Sequence, residues 1–365
     1  MRGSVRILSG LLALGASGAF AGVAETSAGP MRIEAMAEGL DEPWAIGFLP
    51  DGAFLVTERD GVLKLFAAPG AAPIQVSGLP EVYAEGQGGL LDLMVPRDFA
   101  RTRELWLSYS QPQESGAGTA LGKGVLSADG TRLEGFTAVF VSPEGGSGGR
   151  HFGSRVVEAA DGTIFLSIGD RGTGPDGLEA QDLMRAEGKV IHLNRDGSPA
   201  TVLPDALPGI YSLGHRNPQG MASDAQGGLW VVEHGAQGGD ELNRIEAGRN
   251  YGWPVITYGE DYGGGQIGEG QVKPGMEQPL FYWDPSIAPS GLAFYSGALV
   301  PGWAGDAFTG SLKFDYIARL DPDNGFAEVR ISTPETARVR DVVEAPDGSI
   351  WFLSVFNGAA YRIAP

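Results

Sequence analysis

LPDGAFLVTE at 49–58 reads as a tight turn followed by a short apolar strand. Asp51-Gly52 supplies the turn, because glycine adopts a positive φ without strain. Phe54, Leu55, Val56 and Thr57 are aromatic, branched or β-branched residues that favour a pleated backbone. The same phrase returns as AADGTIFLSI (159–168), DAQGGLWVVE (224–233) and APDGSIWFLS (345–354). The turns fall near 51, 161, 226 and 347, at intervals of 110, 65 and 121 residues. A unit of roughly 60 residues makes these intervals two, one and two units, not far above blade-like repeat periods. The missing units are present in weaker form, as RELWLSYS (103–110) and as SGLAFYSG (290–297) with AFTGSLKF (307–314).

Six repeats of one all-β phrase predict a six-bladed β-propeller rather than a pair of sandwiches. MRIEAMAEGL (31–40) and AAYRIAP (359–365) are placed to close one blade together, leaving no open sheet edge. Only 176–187 carries a pattern compatible with a short helix, within a loop. Propellers serve many functions, so the chemistry must be sought in loops near the central channel.

Composition narrows the field. The chain has 365 residues, 42% of them hydrophobic, which suffices for a large core. Its 58 glycines show no collagen-like period and fit many tight turns. The net charge of −19, with no dense Lys/Arg run, argues against nucleic acid and anionic membrane surfaces as partners. The chain contains no cysteine, which excludes disulfides, thiolate nucleophiles and zinc–thiolate sites. Residues 1–21 read as a secretory signal: Arg2 and Arg6, an apolar run from Ile7 to Leu14, then Ala19-Phe20-Ala21. That run is too short to span a bilayer. The mature chain is therefore expected in the periplasm or beyond, without membrane insertion. Residues 22–30 are expected to be flexible and 31–365 to form one catalytic propeller domain.

Four stretches carry candidate chemistry. GRHFGSR (149–155) offers His151, and SIGDRG (167–172) offers Asp170. An imidazole beside a carboxylate is the usual general-base arrangement, though a lone histidine is more often structural. GHRNPQG (214–220) gathers His215, Arg216, Asn217 and Gln219 around Pro218. These donors suit an oxygen-rich ligand, or equally a loop bridging two blades. EHGAQGGDELN (233–243) lacks metalloprotease spacing, and its glycines with Asp240 and Glu241 suit either calcium or a solvated turn. Lys313, Arg338 and Arg340 form a late basic set, and the two arginines share one face if extended. In an acidic protein they suggest an anionic ligand, or else ordinary surface charge. Nucleotide-binding and nucleophile-elbow motifs are absent.

These stretches, with LDEPWAIGFLPDGAFLVTERDG (40–61), GQGGLLDLMVPRDF (86–99), NYGWPVITYG (250–259) and WDPSIAPSG (283–291), occur in a family order. From about Leu40 to Tyr361 the chain resembles the soluble glucose/sorbosone dehydrogenases that use pyrroloquinoline quinone (PQQ), and among them the bacterial aldose sugar dehydrogenases. The resemblance implies oxidation of aldoses at the anomeric carbon to lactones, with PQQ and Ca2+ as cofactors and an external electron acceptor of unknown identity. It implies His151 as general base, Asp170 as its carboxylate partner and a substrate contact, Arg216 as a catalytic residue stabilising charge that grows on the quinone oxygen, and Arg216 and Asn217 as contacts to the cofactor. It also implies Lys313, Arg338 and Arg340 as a clamp on the cofactor's carboxylates. Gly235 and Ala236 would bind calcium through main-chain carbonyls, and Gln87 and Trp283 would face substrate or cofactor. His234 and Ala236 depart from the Gln and Pro of the glucose-specific branch, a change that ligation through backbone tolerates. His192 reads as structural. The alternatives are a calcium-dependent sugar-lactone hydrolase, which needs carboxylates around an open cation and no clamp, and a non-catalytic binding propeller.

Overall fold

The computed structural model describes residues 18–365 apart from 144, 145, 147 and 175. It contains six antiparallel sheets arranged in chain order. The first blade comprises Pro43–Phe48, Phe54–Glu58, Val62–Phe66 and Ile74–Val76. The second runs from Leu90–Met94 through Glu104–Gln113 and Gly116–Leu126 to Leu133–Val141. The third comprises Val156–Glu158, Ile164–Ile168, Lys189–Leu193 and Ile210–Leu213. Pro218–Ser223, Leu229–Glu233, Asp240–Ile245 and Phe281–Trp283 form the fourth. The fifth is built from Pro289–Phe294, Ala307–Ser311, Ile317–Asp321 and Ala327–Ile331. The sixth starts with Val339–Glu344, Ile350–Ser354 and Ala359–Ala364, and Gly29–Glu38 completes it. That last pairing runs from Arg32 opposite Ala364 to Glu38 opposite Ala359. The two ends of the described chain thus close the ring, as the sequence predicts, and the fold is a six-bladed β-propeller.

Each repeated phrase forms the turn between a blade's first and second strands, and then the second strand itself. In the four clear copies an aspartate caps the turn. Asp51, Asp161, Asp224 and Asp347 accept from the backbone N–H two residues on, at 2.9–3.1 Å. The second strands are apolar at nearly every position because both faces are buried against neighbouring blades. In Phe54–Glu58, Phe54 and Val56 pack against the sixth blade's Trp351 and Leu353, while Leu55 packs with the second blade's Leu90 and Leu105. In Leu229–Glu233, Leu229 and Val231 face the third blade, and Trp230 and Val232 face the fifth. Six such layers, one per blade interface, make up most of the core.

Two segments differ from expectation. Residues 176–187 hold only a 3-10 turn, Glu179–Gln181. Buried Lys189 explains this: its Nζ donates to the carbonyls of Glu179, Ala180 and Glu187 at 2.7–3.0 Å, drawing the segment into a loop. Burial pushes this amine down to about 7. The segment 22–30, expected to be flexible, lies largely in a hairpin. Ala19–Thr26 pairs antiparallel with Gly29–Glu38 at the edge of the sixth blade. Ala24 is fully buried there, in a cluster with Tyr295, Trp303 and Ile331. Residues 1–17 of the expected secretory signal lie outside the described residues.

The channel is bridged by a buried ion network. Arg155 pairs with Asp92 at 3.0 Å and Asp341 at 2.9 Å, and its Nε donates to Gln219 O at 2.8 Å. Asp92 also accepts from Val156 N and Asp341 from Ile46 N, so the network ties together five of the six innermost strands or their leading residues. Burial pushes the Asp92 carboxyl up to about 6 despite the adjacent guanidinium.

Candidate active site

The Asp-Gly turns occupy one end of the ring, and the candidate chemistry sits at the other. Two positions per blade reach that end: the residues entering the first strand and those leaving the second. The third blade thus contributes His151 and Asp170, the fourth Arg216–Asn217 and His234–Gly235, and the sixth Arg338–Arg340 and Val355. Antiparallel pairing brings the two positions of each blade side by side, which is why motifs distant in sequence converge.

His151 Nδ1 lies 2.6 Å from Asp170 Oδ1. The backbone N–H of His151 donates to Gln87 Oε1 at 2.8 Å, and the residue adopts a positive φ of 57°. Asp170 is fully buried and well satisfied. Its Oδ1 also accepts from Gly172 N at 2.7 Å, and its Oδ2 accepts from Trp253 Nε1 at 2.8 Å. With an ionised carboxylate accepting, Nδ1 carries the hydrogen and Nε2 is the basic nitrogen. Burial pulls the imidazole below its ordinary value, Asp170 opposes that, and the nearby Arg216 adds to it.

A cavity of about 380 Å³ is linked to this pair through Gln87, which lines it and holds the His151 backbone; His151, Asp170, Arg216 and Asn217 are not among its lining residues. Lys313, Arg338, Arg340, Gln87, Gln219 and His234 all line it. The sequence reading missed a fourth cation, Arg59, which also lines it but is paired with Glu42. The conspicuous TERDG stretch contained it, but only the fold shows that Arg59 leaves the second strand of the first blade at this end. Arg340 is half-buried and donates to Gln219 Oε1 at 2.7 Å. Burial, then Arg338 and Arg155, push its guanidinium down to about 9, a sign of positive charge without a matching anion. Arg338 donates to Leu312 O at 3.0 Å and sits over the Phe356 ring.

Arg216 is fixed through its backbone N–H to Glu233 Oε2 at 2.8 Å, while its guanidinium reaches His234 O and Tyr262 Oη, both at 3.3 Å. Its Nε and the Nδ2 of fully buried Asn217 are donors with no protein partner among the described residues. His215, in the same loop, is structural. Its Nδ1 donates to Glu233 and its Nε2 accepts from Ser212, with the ring stacked on Tyr251. His192 is likewise held between Thr163 and Thr201.

The 233–243 loop is organised by Asp240. Its carboxylate accepts from Gly235 N, Ser286 Oγ, Ile287 N and Ala288 N. Glu241 is bound to Asn243 Nδ2, and burial beside Glu233 pushes it up to about 8. Asp240 and Glu241 are therefore committed to the loop's own structure. Any cation there would rest on main-chain oxygens such as those of Gly235 and Ala236. Gly235 admits no side chain, since a Cβ would meet Gly238 O at 2.2 Å. Among the described residues no trio of His, Asp or Glu is grouped to hold a metal.

One expectation is corrected. Trp283 lies in the outermost strand of the fourth blade, away from the cavity. Its ring is buried with Leu292 and Tyr316 of the fifth blade's layer, and its Nε1 donates to Glu328 Oε1 at 3.2 Å. It is an interblade core residue rather than a substrate contact.

A family model described as Glucose / Sorbosone dehydrogenase matches residues 40–362. The aldose sugar dehydrogenase YliI of Escherichia coli K12 is 40% identical over 348 residues, covering 92% of this chain and 93% of that protein. The crystal structure of the soluble E. coli aldose sugar dehydrogenase in its apo-form superposes with a TM-score of 0.85 at 38% identity, covering 92% of this chain and 99% of that one. The PQQ-bound aldose sugar dehydrogenase of Streptomyces coelicolor gives a TM-score of 0.75 at 25% identity, covering 91% of this chain and 97% of that one. On the extent of these matches, the chain belongs to the glucose/sorbosone dehydrogenase family.

Proposed function

We propose that this protein is a PQQ- and calcium-dependent aldose sugar dehydrogenase that oxidises the anomeric carbon of aldoses to the lactone. The observation that carries the reading is the convergence of Lys313, Arg338 and Arg340 on one cavity whose wall residue Gln87 holds the backbone of His151, itself paired with Asp170, in a protein of net charge −19. A dicationic or tricationic wall suits a flat polycarboxylate. Arg216 and Asn217 each keep a buried donor without a protein partner among the described residues. Main-chain oxygens at 235–236 are the hard donors that calcium accepts.

When bound, PQQ supplies the two-electron oxidant and calcium a Lewis acid beside it. The protein's part is to bind, orient and move a proton. His151 Nε2 takes the proton from the anomeric hydroxyl as the C–H bond breaks, and Asp170 stabilises the imidazolium that forms. Arg216 stabilises negative charge that develops on the oxygen it faces. Lys313, Arg338 and Arg340 hold the cofactor, and Gln87 ties the cavity wall to the His151 backbone.

A lactone hydrolase would need free carboxylates at a solvent-open cation, and Asp240, Glu241 and Glu233 are all engaged by the protein itself. The secretory reading of residues 1–21 places the enzyme in the periplasm or outside the cell. Among the described residues no helix is long and apolar enough to cross a membrane. The test is to supply purified protein with PQQ and calcium and to assay a panel of aldoses with an artificial electron acceptor. Turnover that needs both additions supports the reading; turnover without PQQ contradicts it.

A further inference from the structure

The loop between Asp240–Ile245 and Phe281–Trp283 sends one side chain back across the fourth blade into the third. Trp253 is 4% exposed, and its Nε1–H donates to Asp170 Oδ2 at 2.8 Å. Its ring also lies under the Arg216 guanidinium, 5.2 Å from ring centroid to the guanidinium carbon. The residue is itself anchored. Its N–H donates to Gly214 O at 2.9 Å, and its carbonyl accepts from Gln181 Nε2 at 2.7 Å. Gln181 is in turn held by Asn250, at 2.6 Å from Asn250 Nδ2 to Gln181 Oε1. One indole therefore touches both Asp170 and Arg216, from a backbone braced at two points.

We propose that Trp253 is a positioning residue that fixes Asp170 against His151 and Arg216 against the ligand, an inference that rests on reading His151 as the base. The physical argument begins with the carboxylate. Oδ1 of Asp170 is shared by His151 and Gly172, and the indole N–H holds Oδ2. Those bonds on both oxygens prevent the carboxylate from turning about its own axis. Remove the indole N–H and Oδ2 is left in a fully buried place without that charge-assisted partner, so negative charge concentrates toward His151. The imidazolium is then better stabilised and the base less well oriented. The other charges facing His151 are Arg216, Arg150 and the imidazole of His234, and none of them contacts Trp253 Nε1. The direction of the effect is therefore set by the Asp170 contact.

The test uses protein without cofactor or sugar, so its outcome is separable from whether the chain oxidises aldoses. With only four histidines, the imidazole resonances can be assigned through single His→Gln variants. In Trp253→Phe, which keeps a ring under Arg216, the His151 titration midpoint is expected to rise by at least about half a unit. In the PQQ-loaded enzyme the acid limb of kcat should move by the same amount, with KM little changed. A measurement on wild-type protein covers a variant that fails to fold: the indole N–H resonance of Trp253 should titrate with the His151 midpoint. A His151 midpoint that stays in place or falls in Trp253→Phe overturns the proposal, as does a Trp253 indole resonance that is flat across the His151 titration.

Discussion

Arg340 Nη1 donates to Gln219 Oε1 at 2.7 Å, joining the sixth blade to the fourth across the floor of the cavity. Gln219 O in turn accepts from Arg155, and Arg155 reaches the Arg340 carbonyl at 3.3 Å. The cation that faces the ligand is thus continuous with the ion network that plugs the channel. Binding energy and fold stability meet at this point, and the two can be tested separately.

Binding is tested by removing the cations that line the cavity. Arg338→Ala and Arg340→Ala should each cost about 1.5–3 kcal/mol of PQQ affinity, the usual range for a hydrogen bond to a charged group. About 1.4 kcal/mol is one decade, so each variant should need at least roughly tenfold more PQQ for half-reconstitution. Saturating PQQ should restore much of the turnover, because the His151–Asp170 pair remains. Titration of the fluorescence of the seven tryptophans gives the affinities. Curves that overlay wild type would rule out the clamp.

Stability is tested at Arg155. Its guanidinium is almost fully buried between Asp92 and Asp341. Arg155→Ala leaves two buried carboxylates without their cation and should destabilise the fold by about 3–5 kcal/mol. Urea unfolding measures this directly. A loss under about 1 kcal/mol would mean that the network contributes little beyond what exposed ion pairs do.

Catalysis is tested at His151. His151→Ala should lower turnover by roughly 10²- to 10⁴-fold, the common worth of general-base catalysis. PQQ affinity should be nearly unchanged, since none of the cavity's cations depends on that ring. Steady-state kinetics at saturating PQQ separate the two quantities, and near-normal turnover would assign His151 a structural role only.

The pH profile follows from the same residue. The unprotonated imidazole is the active form, and burial with Arg216 holds its pKa below the ordinary value near 6.5. Activity should therefore persist as pH falls through 6.5 and be lost only below it. The acid limb of kcat/KM for the loaded enzyme measures this, and a limb at or above 6.5 contradicts the assignment.

What could be read from the chain, and what could not, has a physical basis. The phrase ending in Phe54–Glu58 was legible because second strands are buried on both faces and so must be apolar throughout. His151, Asp170 and Arg216 stood out as polar loops, since each blade end concentrates its polar residues in one short loop, but the local pattern left their roles open and only the family resemblance suggested them. The Arg155–Asp92–Asp341 network was not, because its members lie on three different blades and no local pattern links them. Trp283 was misread because a strand alternates faces residue by residue, so a tryptophan within a matched stretch can point either to the site or into the next blade. The hairpin of Ala19–Thr26 escaped notice because its one fully buried side chain, Ala24, is small and carries little hydrophobic signal.

The central claim is tested most directly by a single-turnover experiment without oxygen or added acceptor. Protein loaded with stoichiometric PQQ and calcium is mixed with an aldose, and the absorbance of the bound quinone is followed alongside product analysis. The account predicts that the quinone is reduced once per protein, with one equivalent of lactone formed, and that no reduction occurs in His151→Ala on the same timescale. A quinone that stays oxidised in the wild-type protein across a panel of aldoses, with NAD reduced instead in protein lacking PQQ, would contradict it.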